Sequence, residues 1–180
     1  MLKQIFIIVI CLVVFTGCST YTVNTYSVSE KNINNLKNLS GATYKVHGMK
    51  SLEANNSIYC RGAGPVETPN KESFDDYLRN ALNTELRIAG KYSENATVNL
   101  NGLIKKLDFR SSIGDGQWQF NVTISNGEDI TFDVESTYDF STNWVADKAC
   151  QQVAQAFVPA VQQLIFDIIS HASFKLIAGK

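Results

Sequence analysis

Between Gln117 and Phe140 the chain alternates apolar and polar side chains almost without a break. Trp118, Phe120, Val122 and Ile124 share one parity, with Gln117, Gln119, Asn121, Thr123 and Ser125 on the other. From Glu128 onward, Ile130, Phe132, Val134, Tyr138 and Phe140 oppose Asp129, Thr131, Asp133, Glu135, Thr137 and Asp139. A period of two belongs to strands buried on one face, so the segment predicts a hairpin with one greasy and one wet side. Parity then restricts the register. A two-residue Asn126-Gly127 turn, the commonest short-range hairpin signal, sets Val122 against Thr131, apolar against polar. A three-residue loop, Ser125 to Gly127, pairs Val122 with Ile130, Phe120 with Phe132 and Trp118 with Val134. It also places Gly127 at a left-handed bulge position.

The preceding stretch, Ala96 to Arg110, extends this into a meander. A six-residue turn from Ser111 to Gly116 pairs Phe109 with Trp118, Leu107 with Phe120 and Leu103 with Ile124. Upstream the apolar phase changes to Val98, Leu100 and Ile104, which predicts a bulge near Asn101-Gly102. Short strands are expected over Ala42 to His47 and Ser57 to Arg61. Between them and the meander, Phe74, Tyr77, Leu78, Ala81, Leu82, Leu86 and Ala89 recur at helical spacing. Glu72, Asp75 and Asp76 suit the positive end of that helix, and Gly90 suits its left-handed exit. A last helix follows Asn143, with Ala146, Cys150, Val153, Phe157, Val161, Leu164, Ile168 and Ala172 as its stripe. Pro159 inside it predicts a kink or break near Phe157-Val158. These elements define an α+β fold: a two-layer domain whose mainly antiparallel sheet, a three-stranded meander with one or two short strands added, carries two helices on its greasy face. A crossover from Ser57 to Arg61 through the first helix to the Ala96 strand would make the sheet mixed.

Charge and composition narrow the function. With 16 Lys and Arg against 17 Asp and Glu in 180 residues, nothing concentrates the positive charge that nucleic-acid binding requires. Two histidines, His47 and His171, do not make a histidine-rich metal site. Neither accompanies a G-x-S-x-G, and Asp75 and Asp76, adjacent on a helix, point about 100° apart, which suits a helix start better than acid–base catalysis. Arg61-Gly62-Ala63-Gly64 lacks the later glycine or Lys-Ser/Thr of phosphate-binding motifs and reads as a tight turn. No catalytic constellation, cofactor site or metal site is expected, and the protein is not expected to be an enzyme. The wet sheet face carries an acidic row, Asp129, Asp133, Glu135 and Asp139, with Lys106 and Arg110 on the far strand. It reads first as a solvated surface and second as a docking face for a basic partner.

The address comes from the N-terminus. After Lys3, eleven apolar residues from Ile5 to Phe15 precede Thr16-Gly17-Cys18. That length fits a signal-peptide core and is short of the roughly 20 residues of a membrane-spanning helix. Phe15-Thr16-Gly17-Cys18 resembles the lipobox of bacterial lipoproteins, with Phe15 where such motifs usually carry Leu. The resemblance implies cleavage before Cys18, lipidation of Cys18 and, with Ser19 rather than Asp next to it, sorting to the outer membrane with the domain facing the periplasm. Two or three acyl chains suffice for stable anchoring where one does not. Residues 1–17 are then a signal peptide and 18–40, polar and poor in periodicity, a flexible tether in which Tyr21, Val23, Tyr26 and Val28 could add an edge strand. Residues 41–180 form a single α+β domain.

Cys11 leaves with the signal and Cys18 carries lipid, so Cys60 and Cys150 remain. In an exported domain such a pair is expected to join; the alternatives are two buried thiols or a redox pair, for which no C-x-x-C is present. Cys60 to Gly64, Glu85 to Gly90, Trp118 to Gly127, Ala149-Cys150 and Phe157 to Val161 together resemble small uncharacterised proteobacterial outer-membrane lipoproteins. That resemblance brings no activity, and supports the lipoprotein class, the paired cysteines and the single domain. The expected function is that of an interaction or accessory component of the envelope, with an unidentified envelope protein as partner. The alternative is a carrier that binds an apolar ligand between sheet and helices, around Trp118, Phe120 and Phe132.

Overall fold

The computed structural model describes residues 19–39, 41–53 and 56–178. In chain order the elements are β1 (Tyr21–Thr22), α1 (Glu30–Lys37), β2 (Tyr44–Ser51), β3 (Ser57–Cys60), β4 (Gly64–Glu67), a 3-10 turn (Pro69–Lys71), α2 (Phe74–Ile88), β5 (Val98–Ser111), β6 (Gly114–Ser125), β7 (Thr131–Thr142), α3 (Ala146–Ser170) and α4 (Ala172–Ala178). The fold is α+β with two sheets. A four-stranded sheet has the order β2-β5-β6-β7 and a three-stranded sheet the order β1-β4-β3. Pairing is antiparallel except for β2 with β5 and β1 with β4.

The greasy face is where the alternation put it. Trp118, Phe120, Val122 and Ile124 of β6 are buried, as are Phe132 and Val134 of β7. Helices α2 and α3 both pack on the large sheet, α2 on β2 and α3 on β7 and β6. Phe157 of α3 is the hub of the interlayer core. Its ring centroid lies 4.7 Å from Trp118, 5.3 Å from Phe74 and 5.2 Å from Tyr77, and the Trp118 indole donates to the Val153 carbonyl at 3.0 Å. That hydrogen bond satisfies the one polar atom the ring brings into the core. The edge of β2 is closed from α2, where Asn83 accepts from the Val46 amide at 2.9 Å and donates to its carbonyl at 3.0 Å. Helix α3 is long and apolar enough to cross a membrane, but its apolar stripe from Ala149 to Ile169 is buried in this core.

Several expectations need correction. The β6–β7 parity holds, but the register is shifted: Val122 faces Val134, Ile124 faces Phe132 and Trp118 faces Tyr138. The loop is longer than three residues because Asn126 organises it. Its side-chain oxygen accepts from the amides of Glu128 and Ile130, and its own amide donates to the Ile130 carbonyl. Parity alone cannot separate registers that differ by an even number of residues, here four. Along β5, Phe109 faces Trp118 and Leu107 faces Phe120 as expected, but Leu103 faces Thr123, and the bulge lies between Ile104 and Lys106. Two consecutive lysines tolerate the resulting exposure of both side chains. The parallel crossover enters from β2 rather than from the Ser57 strand, which belongs to the second sheet. Helix α3 runs unbroken through Pro159 and ends at His171, where the backbone turns extended.

The largest correction concerns residues 19–39. They were expected to be a flexible tether and instead are part of the fold. Tyr21, Val23, Ile33 and Leu36 are buried in the common core. β1 adds to β4, with Tyr21 facing Val66, and α1 is capped by Ser29, which accepts from the Asn32 amide. The short, polar, interrupted sequence of this stretch hides elements whose stability comes from tertiary packing.

Candidate functional site

Two regions hold the candidate residues: the end of the fold where the described chain begins, and the acidic outer face of β7. Cys18, the expected lipidation site, lies outside the described residues. The chain that follows it does not. The Ser19 carbonyl sits so close to Gly64 that a Cβ on that glycine would come within 1.7 Å of its oxygen. The Tyr21 hydroxyl donates to Asp147 at 2.9 Å, tying β1 to the first turn of α3.

The Cys60 to Gly64 segment is the hub of this end. Cys60 and Cys150, at a sequence separation of 90, are joined by a disulfide with their Cα atoms 5.9 Å apart. The turn that follows places Arg61 and Gly62 in left-handed backbone, at φ 46° and 70°. This conformation costs a non-glycine residue and is kept only where the surroundings hold it. Three hydrogen bonds hold it: Arg61 Nε donates to Ser111 Oγ at 3.1 Å, Nη1 to the Asn143 carbonyl at 2.9 Å, and Nη2 to the Ser111 carbonyl. One guanidinium thus clamps the β5–β6 turn to the end of β7. The glycine-rich loop is a tight turn beside a disulfide, and its one cation is spent on protein carbonyls.

The acidic row lies along β7. Asp133 accepts from Lys105 at 2.8 Å and from Thr123 at 2.6 Å, and the lysine holds its carboxyl below the usual range. Glu135 is met by the Asn121 amide at 3.2 Å and Asp139 by the Gln117 amide at 2.7 Å. Amides donate hydrogen bonds without neutralising charge, so Glu135 and Asp139 keep theirs at the surface. Asp129, at the start of the row, accepts from the Asn126 amide at 3.3 Å. Lys106, expected to face the row from the far strand, donates to Gln119 at 2.6 Å.

The groups with acid–base potential are engaged elsewhere. His47 bonds to Asn99 at 2.9 Å, and His171 stacks on Phe132 at 4.4 Å. Asp75 accepts from the Ser51 amide at 2.8 Å and from its hydroxyl; Asp76 accepts from Ser73 at 2.9 Å, the residue that caps α2. Trp118, Phe120 and Phe132, which motivated the carrier alternative, are packed against Phe157 and His171.

One cluster escaped the sequence reading. Glu85 of α2 is 0% exposed. It accepts from the Tyr26 hydroxyl, from the Ser29 amide at 3.0 Å and from the Asn32 side chain at 3.3 Å. Asn32, also 0% exposed, donates on to the Gln162 carbonyl at 2.9 Å. Burial pushes the Glu85 carboxyl up, against the downward pull of its three donors, and pushes the Tyr26 hydroxyl up as well. The signal was available. Position 85 falls four residues after Ala81 and three after Leu82, on the apolar stripe of α2, so a glutamate there requires buried partners.

The fold has a counterpart among solved structures. No family model matches this chain and no curated protein matches it in sequence. In fold it is similar to a Xanthomonas campestris protein assigned to the family model DUF330, at a TM-score of 0.58 and 12% identity, over 89% of this chain and 96% of that one. A looser likeness, at a TM-score of 0.46 and 10% identity, is to a Caulobacter crescentus protein described as a candidate lipoprotein, over 83% of this chain and 98% of that one. At such identity the likeness to the Xanthomonas protein is one of fold.

Proposed function

We propose that this protein is a lipid-anchored component of the cell envelope, attached to the outer membrane through Cys18 and facing the periplasm, that acts by binding another envelope protein rather than by catalysis. The observation that carries the reading is the apolar run from Ile5 to Phe15 closed by Gly17-Cys18, directly followed by a domain that is folded from Ser19 onward. The disulfide fits an oxidising compartment. The engagement of His47, His171, Asp75 and Asp76 in structural contacts fits a binding role. The surface offered to a partner is the acidic row of β7, on which Glu135 and Asp139 hold uncompensated charge. It suits a basic segment of another envelope protein, since complementary charge steers encounter and fixes register.

The test is a photo-crosslinking side chain placed at Thr131 or Thr137, exposed positions between the acidic ones on the same face of β7, in the full-length protein in intact cells. A discrete adduct is expected, lost when Asp133, Glu135 and Asp139 are all changed to lysine. Absence of a discrete adduct from either position would remove the acidic face as a partner site.

A further inference from the structure

The end of the domain from which the chain leads back to Cys18 carries two strongly exposed apolar side chains, Ile113 at 75% and Trp144 at 76%. Their placement follows from the Arg61 clamp. Ser19 lies against Gly64, in the same turn as Arg61. The Arg61 guanidinium bonds Ser111 and Asn143, two residues before Ile113 and one before Trp144. The Thr142 hydroxyl closes the arrangement by donating to the Ser112 carbonyl. Both apolar side chains therefore project from turns fastened to the residues that follow Cys18, and Val145, also exposed, adjoins Trp144.

We propose that this end is a bilayer-docking surface, in which Ile113 and Trp144 enter the interfacial layer of the membrane that holds the Cys18 lipid. The inference rests on the anchor reading above. Reach makes it specific: an extended residue spans at most about 3.5 Å, so an acylated Cys18 lies within about 10 Å of Tyr21, and the domain cannot stand away from the headgroups. Tryptophan favours the membrane–water boundary, where its apolar ring and its N–H are both accommodated. Charge around the patch is mixed, with Asp115 and Asp147 beside Arg110 and Lys148, so the contact is apolar rather than polybasic and should be insensitive to salt. Arg61 is a positioning residue here, holding the two turns together. Docking also orients the partner surface. β7 is 12 residues long and runs toward this end, so the acidic row leads from Asp139 near the bilayer to Asp129 at most about 34 Å further away.

The experiment uses the full chain expressed with its leader, purified in detergent and reconstituted into phosphatidylethanolamine–phosphatidylglycerol vesicles with brominated acyl chains. Trp118 is 0% exposed and serves as the internal reference. The wild type is expected to show blue-shifted Trp144 emission and about twofold quenching by the brominated lipid, unchanged by salt and absent from Trp144→Phe. Equal quenching of the wild type and Trp144→Phe overturns the docking surface. Intact mass, read on the same sample, decides the anchor separately. If Cys18 carries no acyl chain the anchor reading falls, and the quenching is then measured with a dialkyl maleimide coupled to Cys18, where the same two outcomes decide the docking surface.

Discussion

The Tyr26 hydroxyl donates to Oε1 of Glu85, 59 positions away and fully buried in α2. Together with the Ser29 amide and the Asn32 side chain, this contact makes one buried carboxyl the fastening point of the N-terminal segment. It decides that the segment after Cys18 is structure rather than tether.

Removing the fastening should be costly. Glu85→Ala leaves the Tyr26, Ser29 and Asn32 donors in the core with one acceptor lost. Unsatisfied buried groups cost about 1–3 kcal/mol each before relaxation, so a loss of roughly 2–4 kcal/mol is expected in urea denaturation. A change below about 0.5 kcal/mol would mean that the donors find other partners.

The same carboxyl should leave a pH signature. Burial raises its pKa in the folded protein, so the folded state binds the proton more tightly than the unfolded chain. The contribution of Glu85 to stability is then complete below the ordinary carboxylate range and declines as pH rises through the raised value. Relative to Glu85→Gln, the thermal midpoint of the wild type should fall from about pH 4 upward. Parallel pH profiles for the two proteins would contradict this assignment.

Gly64 tests whether the start of the chain is docked. A methyl there meets the Ser19 carbonyl oxygen at 1.7 Å, a distance no rotamer change relieves, since the Cβ is fixed by its own backbone and the oxygen is a backbone atom. Gly64→Ala should therefore speed hydrogen exchange of residues 19–23 by at least about tenfold, which corresponds to a local loss of about 1.4 kcal/mol. The core strand β6 should keep its protection. If residues 19–23 exchanged freely in the wild type, the variant would change nothing.

The disulfide closes a loop with a sequence separation of 90. In the chain-entropy view such a link stabilises by roughly 4–5 kcal/mol, less any native strain. Cys60→Ala with Cys150→Ala should lower the urea midpoint accordingly. It should also loosen the Arg61 turn, seen as faster exchange at Ala63, whose amide bonds the Cys60 carbonyl at 2.8 Å.

How far the sequence reached depends on the kind of interaction that decides each element. The buried faces of β6 and β7, the extent of α2 and the Gly90 exit follow local rules, and Gly90 indeed has φ 70°. Cys60 with Cys150 followed from compartment and count. The β6–β7 register did not, because a single side chain, Asn126, selects among loops of equal parity. The status of residues 19–39 was hidden for a related reason: β1 is two residues long and α1 is eight, too short to show a period, and both are held by distant partners, Val66 and Glu85. Arg61 and Trp144 carried no local signal of their roles, which arise from turns brought together by the fold.

In the proposed anchoring, the folded domain begins immediately beside a lipid on Cys18. The most direct measurement is the intact mass and N-terminal peptide of the protein isolated from envelopes. The expected result is a chain that starts at Cys18 and carries a thioether-linked diacylglyceryl group with a further acyl chain on its amino nitrogen. A mature chain that starts at any other residue, or that starts at Cys18 with an unmodified thiol, would contradict it.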